Sequence, residues 1–337
     1  MKKIYKTFLL VLFMSFTNKE FAQSKESKEP TSLFRVYEDN DFLNINGHGT
    51  DKSYSDGTRL DFFYQKKNKS HFFLDKLMPM AGDSSNNIYG WSLMQIMVTP
   101  NDISAKKYQP NDYAYAGALF ALHSLYSYNA QKKYSFQTEF LAGVRGPASF
   151  GKQVQRGFHG LINYQKPMGW DNQLRNMPLI NINFTAEKQF LSVGNFMEIN
   201  GGTLVRAGSL MDGVFMYPMI RIGQMSPYFD GYLNQFGSFK REGKRVKTQY
   251  YLVFKPIGSY IAYDALFQGK RENENSGSYK YETNESRNIQ HLMSDIQIGA
   301  VIARGNFSLS YTQTYTSQFE KDLYKHSVGN FSLYFKW

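Results

Sequence analysis

The chain contains no cysteine. That excludes a disulfide framework, and it excludes a lipid anchor built on a lipobox cysteine. Ladder hydrogen bonds and packing must therefore hold the domain together. Long apolar runs are also missing: beyond the first two dozen residues no stretch approaches the roughly 18 apolar residues that a membrane-spanning helix needs. With a mean hydropathy of −0.48, a helical membrane protein is excluded. A β-barrel escapes this test, because half of each strand faces a wet lumen and dilutes the average.

Aromatic residues are abundant, at 17% of the chain with 25 Tyr and 28 Phe. Two interfacial girdles and a lipid-facing band would require such an excess. The formal charge is +11, and residues 1–23 hold four lysines and one glutamate, which leaves about +8 on the remainder. A basic surface can attract nucleic acid, but an exported chain rarely meets any. Membrane phosphates are the alternative partner, because Lys and Arg pair well with phosphate oxygens.

Export is indicated by the amino-terminus. Lys2, Lys3 and Lys6 precede the apolar run 8–14, and a polar stretch then leads to Phe21-Ala22-Gln23-Ser24. This is the charged, apolar and cleavage order of a secretory signal, and the apolar run is too short to span a bilayer. The expected organisation is a signal over 1–23, a flexible polar lead over 24–31 and one domain over 32–337.

From Ser32 onward short alternating runs recur, separated by Gly, Asn, Asp and Pro. Examples are 59–64, 91–98, 113–122, 134–141, 179–184, 188–193, 250–254, 259–267, 292–302 and 307–316. At the end of the chain, Phe331, Leu333, Phe335 and Trp337 share one face, while Asn330, Ser332 and Lys336 take the other with the amphipathic Tyr334. Apolar outside and polar inside is the barrel pattern. The fold expected is all-β, a transmembrane antiparallel β-barrel of about 12 strands, an even number being the rule for bacterial barrels. The segment 271–288 is charged and aperiodic and reads as a long surface loop, and the basic 240–247 as a further loop or strand end. One region breaks the strand pattern. Over 150–164, Val154, Phe158, Leu161 and Ile162 fall at helical offsets between Gly146-Pro147 and Pro167, which predicts a short helix in an outer loop.

Several segments, in order along the chain, carry a family resemblance. They are Tyr37-Glu38-Asp39-Asn40-Asp41-Phe42, Thr50-Asp51-Lys52-Ser53-Tyr54-Ser55-Asp56-Gly57 and Asn111-Asp112-Tyr113-Ala114-Tyr115-Ala116-Gly117. A fourth runs from Gly143 through Arg145, Gly146, Gly151, Gln155 and His159 to Gly169-Trp170-Asp171-Asn172, and 311–320 adds a later match. Together they resemble the outer-membrane lipid A 3′-O-deacylases over nearly the whole chain. The resemblance implies calcium-dependent hydrolysis of the ester that holds the 3′-linked acyl chains of lipid A, at a rim site beside the loop helix. Carried over residue by residue, it implies His159 as the catalytic histidine, Asn40 and Asp41 as the metal-site and catalytic pair, and Ser55 at a position that is often Thr. Gln155 stands one helical turn before His159 and is expected to meet substrate. Lys106 and Lys107 are candidates for the phosphates of lipid A. The implied partners are lipid A, or lipopolysaccharide, and the outer membrane, with no nucleic acid and no obligate protein partner.

Elementary chemistry suits these roles. Histidine titrates near neutral pH and can act as general base toward water. Calcium prefers oxygen ligands, which Asp41, Asn40 and backbone carbonyls can offer. A serine–histidine nucleophilic route through Ser55 competes, but its segment has no Gly-x-Ser-x-Gly elbow. Gln165 stands where some members have an acidic residue, so either Gln165 serves as a neutral partner or another carboxylate, such as Asp171, takes that part. Rival functions are an outer-membrane phospholipase and a non-catalytic pore or adhesin.

Overall fold

A computed structural model describes residues 31–45, 51–66, 70–194, 196–241, 244–268 and 289–337. The expected signal, the lead up to residue 30 and the charged loop 271–288 lie outside the described residues.

The strands are β1 (Ser32–Asn40), β2 (Ser53–Tyr64), β3 (Asn86–Thr99), β4 (Ala116–Asn129), β5 (Tyr134–Arg145), β6 (Met177–Val193), β7 (Met197–Gly208) and β8 (Met211–Gln224). They continue with β9 (Phe239–Arg241), β10 (Lys244–Val246), β11 (Thr248–Asp264), β12 (Leu292–Arg304), β13 (Phe307–Thr316) and β14 (His326–Lys336). Twelve of them close an antiparallel barrel by pairing each with the next, and β9 and β10 form a separate hairpin between β8 and β11. The seam is β1 against β14, in register from Leu33↔Lys336 to Asn40↔Gly329. Closure removes the edges whose unpaired backbone groups could not stand in lipid.

The side-chain alternation follows the sequence pattern. On β14, Asn330, Ser332, Tyr334 and Lys336 are buried, whereas Leu333 and Phe335 are exposed, as is Trp337 just beyond the strand. Ile296, Ile298 and Ile302 of β12 likewise face outward. Taking such a side chain out of water is worth about 1.5–3 kcal/mol, so this surface suits hydrocarbon.

Two pairs of expected strands are in fact single strands. Runs 179–184 and 188–193 both lie in β6, and 250–254 joins most of 259–267 in β11. The polar residues between them face the lumen, where they have partners. Tyr217 and Tyr228 donate to Glu187, and Lys255 Nζ lies 3.6 Å from the Tyr217 ring centroid.

Charged pairs cross the lumen. Arg35 and Arg59 converge on Asp61 at 2.7 and 2.6 Å, and Arg59 also reaches Glu139 at 3.0 Å. Toward the rim where β1 begins, the connection between β8 and β11 folds inward. Tyr232 packs edge-on against Phe63, and Phe236 stacks on Tyr334 with centroids 3.8 Å apart. Lys336 Nζ holds this plug by donating to the carbonyls of Leu233 and Ser238 at 3.2 and 2.7 Å.

The expected helix is present as α1 (Gly151–Leu161), in the connection between β5 and β6. Phe150, with φ of +61°, precedes it, and Asn163, with φ of +57°, follows it. The predicted span of 150–164 is therefore trimmed at both ends by left-handed residues that cannot continue a helix.

Candidate active site

The site forms at the rim where β1 stops and β2 has not begun. Asn40 caps the short helical turn Asp41–Leu43, its Oδ1 accepting from the Phe42 N–H at 2.9 Å. Its Nδ2 donates to Asp56 at 3.1 Å across the β1–β2 ladder. This cap swings Asp41 into a buried position, where Oδ2 accepts from the Lys52 N–H at 2.9 Å and Oδ1 has no partner among the described residues. Burial first, and then the nearby Asp51 carboxylate, push the Asp41 carboxyl up to about 8.

Helix α1 supplies the facing wall. A side-chain carbon on Gly117 would strike Ser149 Oγ and lie 3.6 Å from Gly151 Cα, so the glycine lets the helix start come close to the wall. Gln95 Nε2 donates to the Ser149 carbonyl at 2.6 Å. On β3, Trp91, Leu93, Gln95 and Met97 are alternate residues on the barrel's outer face, and Gly117 is paired with Met97 on β4. The helix therefore rests on the outside of the barrel, not in its lumen. Between helix and wall, Met97, Ile103, Tyr115 and the fully buried Trp170 form a small core. Trp170 Nε1 donates to Gln155 Oε1 at 2.7 Å, and Gln155 Nε2 is buried with no partner among the described residues.

His159 points from α1 toward the carboxylates. Nδ1 lies 2.6 Å from the Gln165 carbonyl, and since a carbonyl only accepts, Nδ1 carries a proton. Nε2 lies 3.2 Å from Asp51 Oδ2, and Tyr164 meets the ring edge-on. Burial pulls the imidazole down, but the Asp51 contact and the Gln165 carbonyl outweigh it and hold the pKa above its ordinary value.

The sequence candidates are thus distributed unevenly. Asp41 and His159 converge through Asp51, to which the sequence reading assigned no role. Its only signal was its place in the Thr50–Gly57 segment, just before the strand that pairs with β1. Asn40 stands behind Asp41 as its cap. Ser55 sits fully buried in a β-bulge between Tyr54 and Asp56, its Oγ donating to the Met97 carbonyl at 3.2 Å. Gln165 serves His159 through its backbone, so its side chain is not what holds the imidazole. Asp171, with 74% of its side chain exposed, pairs with Lys152. Lys106 and Lys107 are exposed on a loop that Asn172 ties to the site, donating to the Lys106 carbonyl at 2.8 Å.

Among the described residues no three His, Cys, Asp or Glu side chains form a metal cage. A buried carboxylate oxygen without a partner, beside a second carboxylate, nonetheless fits a cation. Oxygen-only donors, completed by carbonyls and water, suit a hard one.

A family profile described as outer membrane protein LpxR matches residues 7–337. Among solved structures, LpxR from Salmonella typhimurium is similar at a TM-score of 0.69 and 16% identity, covering 90% of this chain and 100% of that one. The β domain of the Bordetella autotransporter BrkA follows at a TM-score of 0.44 and 7% identity, covering 92% of this chain and 99% of that one. No curated protein matches in direct sequence comparison. The structural likeness speaks for the barrel and the profile for the family: the chain belongs to the LpxR family of outer-membrane lipid A 3′-O-deacylases, and is an ester hydrolase carried on an outer-membrane barrel.

Proposed function

We propose that the chain, exported by the signal in residues 1–23, hydrolyses the ester of the 3′-linked acyl chains of lipid A in the outer leaflet, with His159 as general base toward water and calcium held at Asp41. The carrying observation is the His159 imidazole, fixed at Nδ1 by the Gln165 carbonyl with Nε2 3.2 Å from Asp51, near Asp41, whose Oδ1 has no partner among the described residues. The rim with this site bears the longest described connection, residues 146–176, as expected of the outward-facing side of a barrel.

In this reading Nδ1–H stays bonded to Gln165 while Nε2 takes a proton from water. The resulting hydroxide oxygen attacks the ester carbonyl carbon. Asp51 stabilises the positive charge that develops on the imidazole. Collapse of the tetrahedral intermediate releases the sugar oxygen, which recovers the proton from Nε2. Asp41 and Asp51, with the Asn40 carbonyl, would hold calcium, whose charge, when bound, polarises the ester carbonyl. Gln155 Nε2 is a buried donor available to the same ester, and Lys106 and Lys107 are available to the phosphates. The burial of Ser55 and its bond to Met97 favour water over serine as the nucleophile.

Mass spectrometry of lipid A from cells with and without the protein tests the reaction, and His159→Ala tests the base. Removing a general base costs about 10²–10⁴-fold in rate, so that variant should release almost no fatty acid while Ser55→Thr remains active. Unchanged lipid A with hydrolysed glycerophospholipid would reassign the substrate. A trapped acyl-serine at Ser55 would overturn the water route.

A further inference from the structure

Helix α1 is amphipathic in an inverted sense. Its buried stripe is Gly151, Gln155 and His159, spaced four residues apart. One residue earlier at each turn stands an apolar stripe: Phe150, Val154 and Phe158, extended by Leu161. These four are 55, 45, 53 and 83% exposed. One residue later stand Lys152 and Arg156, tied down by Asp171 and by the Pro167 carbonyl. Successive helix residues are rotated by about 100°. The polar catalytic stripe is therefore flanked by an apolar stripe on one side and a basic stripe on the other.

We propose that α1 lies in the plane of the outer leaflet, with Phe150, Val154, Phe158 and Leu161 immersed among the acyl chains of its lipids. The proposal rests on the reading that this rim faces the outer leaflet. Three observations choose lipid as the occupant. The helix packs on the exterior wall, over Gln95 and Gly117, where lipid would otherwise stand. The outward positions of β3 lead from Trp91 and Leu93, both exposed in the lipid-facing belt, through Gln95 and Met97 to the floor of the helix. Four large apolar side chains on one flank and cations on the other make the composition of an interfacial helix. The arrangement places the His159 stripe at the boundary between hydrocarbon and water, where the ester of an acylated headgroup lies.

The absence of cysteine makes single-site labelling clean. Nitroxide labels at Phe158→Cys and Leu161→Cys are read by power-saturation spectroscopy in phosphatidylethanolamine–phosphatidylglycerol vesicles. Leu93→Cys provides the lipid-belt reference, and the exposed Gln153→Cys lies off the apolar flank. Both helix labels should resemble Leu93→Cys, with oxygen collisions exceeding those of a nickel chelate, while Gln153→Cys shows the reverse. If both match Gln153→Cys, the proposal is wrong. Spectral broadening that disappears on dilution with unlabelled protein would also overturn it, in favour of contact with a second copy. Heat-modifiable migration checks that each variant is folded. Repeating the measurement with His159→Ala separates the two readings, because depth does not depend on catalysis.

Discussion

Asp51, just ahead of β2, and His159, on α1, form a carboxylate–imidazole pair with Oδ2 and Nε2 3.2 Å apart. Asp51 also lies close enough to raise the pKa of Asp41, so it couples the base to the candidate cation site.

Asp51→Asn should lower kcat by about 10–100-fold, the usual cost of losing a partner that orients and charges an active-site group. Its KM should move little. Gln165→Ala should remain near wild type, because the His159 bond goes to the backbone carbonyl. Fatty acid released from purified lipid A, at matched protein levels, measures both. Equal losses in the two variants would mean that the Gln165 side chain matters after all.

Calcium should restore activity after chelation and magnesium should not, since magnesium demands near-octahedral geometry and keeps its waters. In the metal-free protein Asp41 titrates at about 8, so at pH 7 it is mostly protonated. An ion can take it only as the carboxylate, so binding must release a proton. Affinity should therefore rise with pH up to about 8 and level off above. Calorimetry in buffers of different ionisation enthalpy reads the released proton. Asp41→Ala should abolish the pH dependence together with most of the binding.

Gly117→Val should remove activity without unfolding the barrel. The added carbons would meet Ser149 and push the start of α1 off the wall, carrying His159 from its partners. A displacement of about 1 Å at a reacting group can cost 10²-fold. Heat-modifiable migration should be unchanged while fatty acid release falls at least that far. An active variant would show that the helix tolerates displacement.

The purified barrel should be electrically silent in planar bilayers, because paired charges cross its lumen and the inward-folded β8–β11 connection closes one rim. Replacing residues 227–241 by a short turn should open a measurable conductance. Steady channel activity of the unaltered protein would contradict this account of the lumen.

Much of this molecule was legible in the chain. The C-terminal strand could be assigned face by face, because a period of two places Phe335 and Trp337 opposite Ser332 and Lys336 whatever surrounds them. The strand total agreed through two offsetting errors. β6 and β11 each carry two of the alternating runs, divided at the inward-facing Glu187 and Lys255, while β7 and β8, with Gly201-Gly202 and Pro218, carry none of the example runs. Both errors have one cause: a lumen accepts polar and small residues at positions that a soluble sheet would fill with apolar ones.

The site divides similarly. The helix could be singled out from 3.6-residue spacing, and Asp41 and His159 only through the family resemblance carried by segments in order along the chain. Asp51 could not, since its pairing exists only because β1 and β2 are registered neighbours and the 146–176 connection folds back over the outer wall. The backbone role of Gln165 was equally hidden, because side-chain identity carries no record of a carbonyl bond. Helical spacing showed that α1 has an apolar face but not which face is covered. Tertiary structure turned the polar stripe inward, because the β1–β2 connection offers carboxylates there and Trp170 packs against Gln155, and the apolar stripe outward, toward the medium proposed above to be lipid.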